Sequence, residues 1–581
     1  MKLKKTLLVA LPLLVAITSL TGCNKKGGGN NKGTPSFSGI EGWDPVLEYE
    51  GDLDVFMYIY GLEGRWMDAG NPKHVAEDIV DGSQALFFAA AREFKKIYPK
   101  IRINVISGNG TGYSPSFYDN FADYIDSHGQ RPPHIMHHVD PIPTLLSAGY
   151  VADIGQYTDK MPLYNYINPD LLKYYNYGGF QGAVPYGIFP YGLFVNTKSI
   201  EKRFLELPEP TDADWTLDKL DEIISSTPTN TNDLAGLVNL NYEMVNFMAP
   251  TIYRNYIDGK PVDLNTPEIE KILTLENKWV KDYVWFDATM SGGGKHPNNT
   301  VWNGWEKTAL MASGSALVQL DNPFAIGGLS SFAEKENTVD DLDIYPFPSL
   351  DSEGENTLGL LMGALSIGNQ CPLDSNNQEV CTKKQRLSQE AAAYFATFMV
   401  SDPRSIKAAS EIKWKRSNES DDIVTGAIKG LPILREKDEN NEAYSLPSSV
   451  KGVTDEYQTQ LQYFFDAYPA FTNEKPGMAR VMEMYNEGKG IICNSNTYPM
   501  TVPSEVGGTK QVMANWNGRY GQPGDGVVVS SVTWVDQMRS KLADMTAEIN
   551  SLTETSWNFL EENMRANYIL PSDWDPTEKK V

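Results

Sequence analysis

The run "GAVPYGIFPYGLFVNTK", Gly182 to Lys198, places Tyr186, Phe189, Tyr191 and Phe194 within nine residues and cuts them with Pro185 and Pro190. Flat rings set this densely can stack on the apolar faces of a ligand, and a tyrosine adds a polar handle. The whole chain shares the bias, with 30 Tyr, 22 Phe and 12 Trp and an aromatic content of 11%. Such a surplus serves carbohydrate- or peptide-binding surfaces as well as large cores. Reactive chemistry is poorly represented. There is no G-x-S-x-G, no H-E-x-x-H and no phosphate-binding glycine loop. His137 and His138 are adjacent in a strand-like segment and so point to opposite faces, which rarely suits one metal ion. No Cys/His spacing suits zinc, and no cofactor is expected. The 75 acidic residues leave open the two carboxylates that a glycoside hydrolase needs.

The net charge of −25 opposes nucleic-acid binding and electrostatic docking on anionic lipid, since both need basic surfaces. A neutral ligand fits better. Four cysteines are present. Cys371 and Cys381 bracket "CPLDSNNQEVC" and form a candidate local disulfide in an oxidising compartment, which leaves Cys493 unpaired. The first residues carry Lys2, Lys4 and Lys5, then a short apolar stretch from Thr6 to Ile17, too short for a comfortable membrane span. Leu20-Thr21-Gly22-Cys23 follows and resembles the bacterial lipobox. That resemblance implies a signal peptide over residues 1–22 and a lipid on Cys23. Residues 23–49, which include the Gly/Asn/Lys-rich "NKKGGGNNKGTP", read as a flexible tether.

The elements that must position the rings alternate. "DVFMYIY", "IRINVI" and "HIMHHV" read as strands, with helices over Ser83–Tyr98 and Phe117–Ile125 between them. This predicts an α/β layer with a mostly parallel sheet. The prolines of the ring-rich run are expected to break its strand pairing, because proline has no N–H for a ladder. Further on, "TLDKLDEIISS" reads as a helix capped by Thr216, "SALVQL" as a strand, and "LDIYPFPS" and "LGLLMGALSI" as two strands across an acidic turn. "SQEAAAYFATFMVS" reads as a helix with a serine cap. Asp455–Tyr485 and Thr533–Ala566 read as helical, and the tail beyond Asn567 as a surface segment.

Taken in order, these pieces resemble the sugar-binding, maltodextrin-binding-protein-like family of extracytoplasmic solute-binding lipoproteins of ABC importers. The landmarks are "EFKKIYPKIRINVISGNG", "RPPHIMHHVDPIPTLLSAGYVADI", "GGFQGAVPYGIFPYGLFVNTKSIEK", "LPEPTDADWTLDKLDEI", "MASGSALVQLDNPF" and "AAAYFATFMVSDPRSIKAA", spread over roughly residues 50–435. His134 departs from the family's usual aspartate, and the chain is longer than a typical member, mostly beyond residue 440.

The resemblance implies two α/β lobes joined by a multi-crossing hinge, periplasmic-binding-protein-like of type II, with an extended helix-rich C-terminal part. It implies a first lobe over 50–184 plus 360–430 and a second over 190–355 plus 431–581, with crossings at 183–190, 345–362 and "KGLPILRE". The function implied is capture of a sugar or oligosaccharide between the lobes and delivery to ABC permease subunits. The chain would be a monomer, extracytoplasmic and lipid-anchored to the cell membrane. A secreted glycoside hydrolase, or a binder of a peptide or other polar solute, are the alternatives. Ligand contacts implied at strand ends and crossings are Tyr60, Glu63, His138, Asp140, Tyr186, Phe189, Tyr191, Asn322, Phe324 and Gly363, with Trp302, Trp305, Trp414 and Trp516 as further rings. Phe189 stands where maltodextrin-binding proteins hold an acidic contact, which suggests stacking instead.

Overall fold

In the computed structural model, strand β1 (Gly51–Met57) lies between β3 (Ile101–Ser107) and β4 (Ile135–His137) and parallel to both. A short edge strand, β2 (Trp66–Asp68), runs antiparallel to β3. The structure describes residues 44–57, 66–70, 82–107, 115–137, 142–227, 235–238, 249–282, 311, 313–321, 341–415, 423–425, 430–435, 456–468, 471–492, 501–502, 510–511, 539–540 and 542–579. Cys23, with its implied lipid, and Cys493 lie outside them.

A hairpin of β5 (Asn176–Tyr177) and β6 (Phe180–Gln181) leads into β7 (Val184–Asn196), the ring-rich run. The second part of the sheet comprises β8 (Ala235–Val238), β9 (Ala316–Asp321) and β10 (Leu342–Tyr345), and β11 (Leu358–Ile367) returns to the first. The strand order is β2-β3-β1-β4-β11-β7-β9-β8, with β10 also on β7. A hairpin of β12 (Lys413–Lys415) and β13 (Ile423–Thr425) stands outside this sheet, and β14 (Gly490–Ile492) lies parallel to β11.

The sheet is mixed rather than mostly parallel. β3–β1, β1–β4 and β9–β8 are parallel, while β2–β3, β4–β11, β11–β7 and β7–β9 are antiparallel. The cause is that β7 and β11 cross between the two parts in opposite directions.

The expected break at the prolines is corrected. Pro185 pairs opposite Ala364 and Pro190 opposite Leu360 within one thirteen-residue strand. Ile188 O accepts from Leu431 N at 2.6 Å, on the side away from β11. Pro190, two residues on, repeats that orientation, so its missing N–H costs the β11 ladder nothing. The interruption falls on Gly187 instead. It has φ +60° and is skipped in the register between Gly363↔Tyr186 and Met362↔Ile188, forming a bulge. "LDIYPFPS" and "LGLLMGALSI" do supply β10 and β11, but the two meet only at a bridge between Phe347 and Thr357 before diverging, β10 to pair with the far half of β7.

Helices cover the sheet. α1 (Gly82–Ile97) and α2 (Pro115–Ser127) follow β1 and β3, and α3 (Ile142–Ser147) follows β4. α4 (Leu217–Ser225) starts where Thr216 Oγ1 accepts from Lys219 N at 3.3 Å, as the sequence predicts. α5 (Pro250–Ile257) and α6 (Pro267–Asp282) come next. α7 (Lys383–Ser401) begins five residues before the expected serine cap. Thr382 and Gln385 form a capping box, and Ser388 sits inside the helix with its hydroxyl on Gln385 O. α8 (Pro403–Glu411) packs with α7 against α1.

The predicted helix over 455–485 is two helices, α9 (Glu456–Ala467) and α10 (Pro476–Asn486). Pro476 opens the second, where its absent N–H is harmless, and Asp343 accepts from Gly477 N and Met478 N at 2.8 and 3.0 Å. The long helix α11 (Leu542–Asn567) ends the regular structure. The tail beyond it is not a free surface segment: Trp574 is buried and donates its Nε1–H to Tyr177 O at 2.9 Å.

Candidate functional site

In α/β sheets ligands gather at the carboxyl ends of parallel strands. Here β1 ends at Met57 and β4 at His137, side by side on one half of the sheet, and β9 ends at Asp321 on the other half. The crossing strand measures the span between them. Leu365 pairs with both His137 and Val184, while Asp321 pairs with Gly192. Tyr186, Phe189 and Tyr191 therefore lie between the two sets of strand ends, along a stretch of about 25 Å. Gly363 is opposite Tyr186 at the register shift.

The three rings differ in what they leave open. Tyr186 is buried and stacks on His137, with centroids 4.7 Å apart and planes at 30°. Tyr191 is buried beside Phe347. Phe189 is only partly buried, with its ring edge over Gly187. Of these three, Phe189 alone offers open ring surface. Gly430 lies tightly against the same bulge, since a Cβ there would meet Ile188 N and O at 2.7 Å.

In sequence, Tyr60 and Glu63 follow β1, His138 and Asp140 follow β4, and Asn322 and Phe324 follow β9. Tyr60, Glu63, His138, Asp140, Asn322 and Phe324 lie outside the described residues, as do Trp302, Trp305 and Trp516. Trp414 is in β12, opposite Val424 in the separate hairpin. The bulge glycine was missed by sequence reasoning, although a glycine between rings in "PYGIFP" is its signal.

His134 plays a local structural part. It is partly buried and its Nδ1 accepts from Asp54 N at 3.0 Å, and removal from solvent lowers its pKa to about 4 although Asp54 opposes this. It is therefore neutral at ordinary pH. Asp54 in turn accepts from Tyr124 Oη–H at 2.8 Å, tying α2 to β1. Among the described residues no cluster of three or more His, Cys, Asp or Glu could hold a metal, and no helix is long and apolar enough to cross a membrane. Cys371 and Cys381 are joined in a disulfide with Cα atoms 4.8 Å apart, closing the "CPLDSNNQEVC" loop before α7.

No family model matches the chain, and no curated protein matches it. Many solved structures do. A sugar transporter protein from Rhizobium etli, solved in an open conformation, is 14% identical with a TM-score of 0.51, over 87% of this chain and 99% of that one. An ABC substrate-binding protein from Listeria monocytogenes in complex with cycloalternan is 15% identical with a TM-score of 0.43, over 89% and 97%. A maltose-bound MalE3 of T. maritima is 12% identical with a TM-score of 0.47, over 86% and 99%. Identity this low speaks to fold alone. Set beside the Rhizobium etli protein, the mixed sheet, its paired crossing strands and its flanking helices are the α/β architecture of periplasmic-binding-protein-like chains.

Proposed function

We propose that the chain is the substrate-binding protein of an ABC importer and captures a sugar or oligosaccharide between two lobes. The observation that carries this is β7. One strand pairs with β11 over its first half and with β9 and β10 over its second, and it holds Tyr186, Phe189 and Tyr191 between the strand ends of both halves. A site spanning a crossing closes when the lobes move together, and closure excludes water from the ligand.

In this reading the lobes are residues 50–184 plus 360–430 and 190–355 plus 431–581, with the C-terminal part also reaching the first. Phe189 stacks on a sugar ring face, and Tyr60, Glu63, His138, Asp140, Asn322 and Phe324 approach from the loops at the strand ends. Trp302, Trp305, Trp414 and Trp516 are further candidate rings, and Gly363 allows close backbone approach. Ligand is held by its greater affinity for the closed form, which then meets the permease. The chain catalyses nothing itself. Residues 1–22 are a signal peptide, and Cys23 carries the lipid that holds the protein outside the cell membrane.

Thermal-shift screening against mono- and oligosaccharides tests the reading, because only ligands that bind the folded form raise the midpoint. A rise with a sugar that is recovered intact supports transport. A rise with peptides alone moves the substrate class, and recovery of cleaved sugar turns the reading to a hydrolase. Phe189→Ala is expected to weaken the responding sugar about tenfold, the loss of one stacked ring.

A further inference from the structure

The C-terminal helix holds segments from both sides of the crossing strands. Residues 149–152 belong with the first side: Ala152 N donates to Ile367 O at 2.7 Å and Val151 bridges Gly368 at the end of β11. Residues 250–282 belong with the second. Lys278 Nζ and Trp279 Nε1 of α6 donate to Asp221 of α4, and α4 packs on β8 and β9.

α11 grips the second side through its middle. Asn550 exchanges two hydrogen bonds with the backbone of Val262, both 2.8 Å, and Thr546 Oγ1 accepts from Leu264 N at 3.0 Å. Its end and the tail grip the first side. Asn567 Nδ2 donates to Ser147 O at 2.9 Å and Tyr568 Oη accepts from Val151 N at 3.2 Å. Beyond the helix, Trp574 Nε1 donates to Tyr177 O, Gly178 N to Glu578 O at 2.8 Å, and Lys579 Nζ to Asn176 O at 2.9 Å. Gly178, at φ +62°, leaves no room for a side chain, since a Cβ would lie 2.4 Å from Asp575 O. Between Asn550 and Asn567 the helix is a rigid rod of about 26 Å.

We propose that α11 and its tail form a clasp across the two lobes, a connection additional to the crossing strands that limits how far the lobes part. The proposal rests on the two-lobe reading above. Eighteen residues of unbroken helix, Asn550 to Asn567, transmit any movement of the turn at 259–264 to the segments at 147–151 and 176–178. The clasp is not packed solid. A hollow of 580 Å³ lies between the helix, the turn and the tail, lined by Lys260, Thr553, Trp557, Trp574 and Asp575.

The test is pulsed dipolar spectroscopy on the full chain without ligand. Ketone-reactive spin labels are carried on p-acetylphenylalanine at Ala122, exposed on α2, and at Lys202, exposed beyond the second half of β7. One variant, Thr546→Val with Asn550→Ala, cuts the middle grip, and a second, Asn567→Ala with Tyr568→Phe and Trp574→Ala, cuts the end and tail grip. Each variant alone is expected to lengthen and broaden the distance distribution by the same amount, and the two combined to add nothing, because a clasp opened at one end is already open. Independent sites this far apart would instead add. Unchanged distances, additive changes, or a response to only one cut overturn the proposal. If either variant fails to fold by circular dichroism, Asn550→Asp and Trp574→Phe replace the alanines there and remove the donated hydrogen bonds with little change of volume. The measurement contains no ligand, so its failure is separate from failure of the carbohydrate reading.

Discussion

The helix layers on the two sides of the crossing strands both bury a carboxyl group, and they treat it in opposite ways. On the first side Asp402 is fully buried between α7 and α8. It accepts from Arg404 N, Nε and Nη2 at 2.8, 2.9 and 2.6 Å, and the same guanidinium binds Asp44 at 2.6 and 3.0 Å. Around this stand Phe94, Phe395, Phe398, Tyr98 and Tyr394, ring against ring. On the second side Glu276 of α6 is 1% exposed, and among the described residues its Oε2 has no hydrogen-bond partner. Burial raises both acids, but only Asp402 has a cation to oppose the rise. The first layer is thus an ion-paired platform that holds Asp44 against α7 and α8. The second holds an acid that stays protonated at neutral pH, so its packing responds to proton concentration.

The largest effect expected from this contrast is on the first side. Arg404→Met strands Asp402 and Asp44, 0% and 3% exposed at their side chains, without their cation. A loss of about 3–5 kcal/mol is expected at pH 7, measured by urea unfolding. The loss should shrink towards pH 4, where protonation relieves the stranded charge. A change below about 1 kcal/mol would mean the pairing does not hold this layer.

Neutralising the acid of the second side is expected to act in the opposite sense. The Glu276 carboxyl titrates near 4.5 when unfolded and is pushed up to about 8 by burial when folded. Between these values the folded chain keeps a proton that the unfolded chain has released. Stability therefore falls as pH rises through the window, by about 1.4 kcal/mol per unit. Glu276→Gln has no such slope. Its stability curve should run close to that of the parent at pH 4 and lie increasingly above it towards pH 8. Parallel curves would remove the distinction between the layers.

Most elements were legible because local signals and tertiary packing agree. The 3.6-residue pattern of α1 and α4, the Thr216 cap and the apolar runs of β3 and β9 all survive in the fold. The errors have one physical source, which is that sequence shows a residue's chemistry but not which neighbour takes it up. Proline reads as a strand breaker unless its empty side is known to face away from the ladder. Ser388 reads as a cap unless helix is known to continue before it. The polar tail reads as free unless Tyr177 O is known to await Trp574. For the site, the ring-rich crossing was legible and its bulge was not, because a skipped residue is a relation between two strands. The sorting of the rings into packed Tyr186 and Tyr191 and half-open Phe189 depends likewise on His137 and Phe347.

The smallest expected effect lies at the crossing between the two layers. Gly187 has φ +60°, yet among the described residues a Cβ there would find only Phe189 Cε2, at 3.8 Å. Gly187→Ala therefore meets no clash and isolates the backbone cost of a left-handed residue, about 1–2 kcal/mol. Gly187→Asn should cost less, because asparagine enters this region more readily. Gly430→Ala differs in kind, since its methyl would push directly on Ile188 N and O. If the bulge is where the crossing bends, Gly187→Ala should change the distance between labels at Ala122 and Lys202 while leaving the Arg404 and Glu276 responses intact. An alanine tolerated at no cost would place the register shift elsewhere in solution.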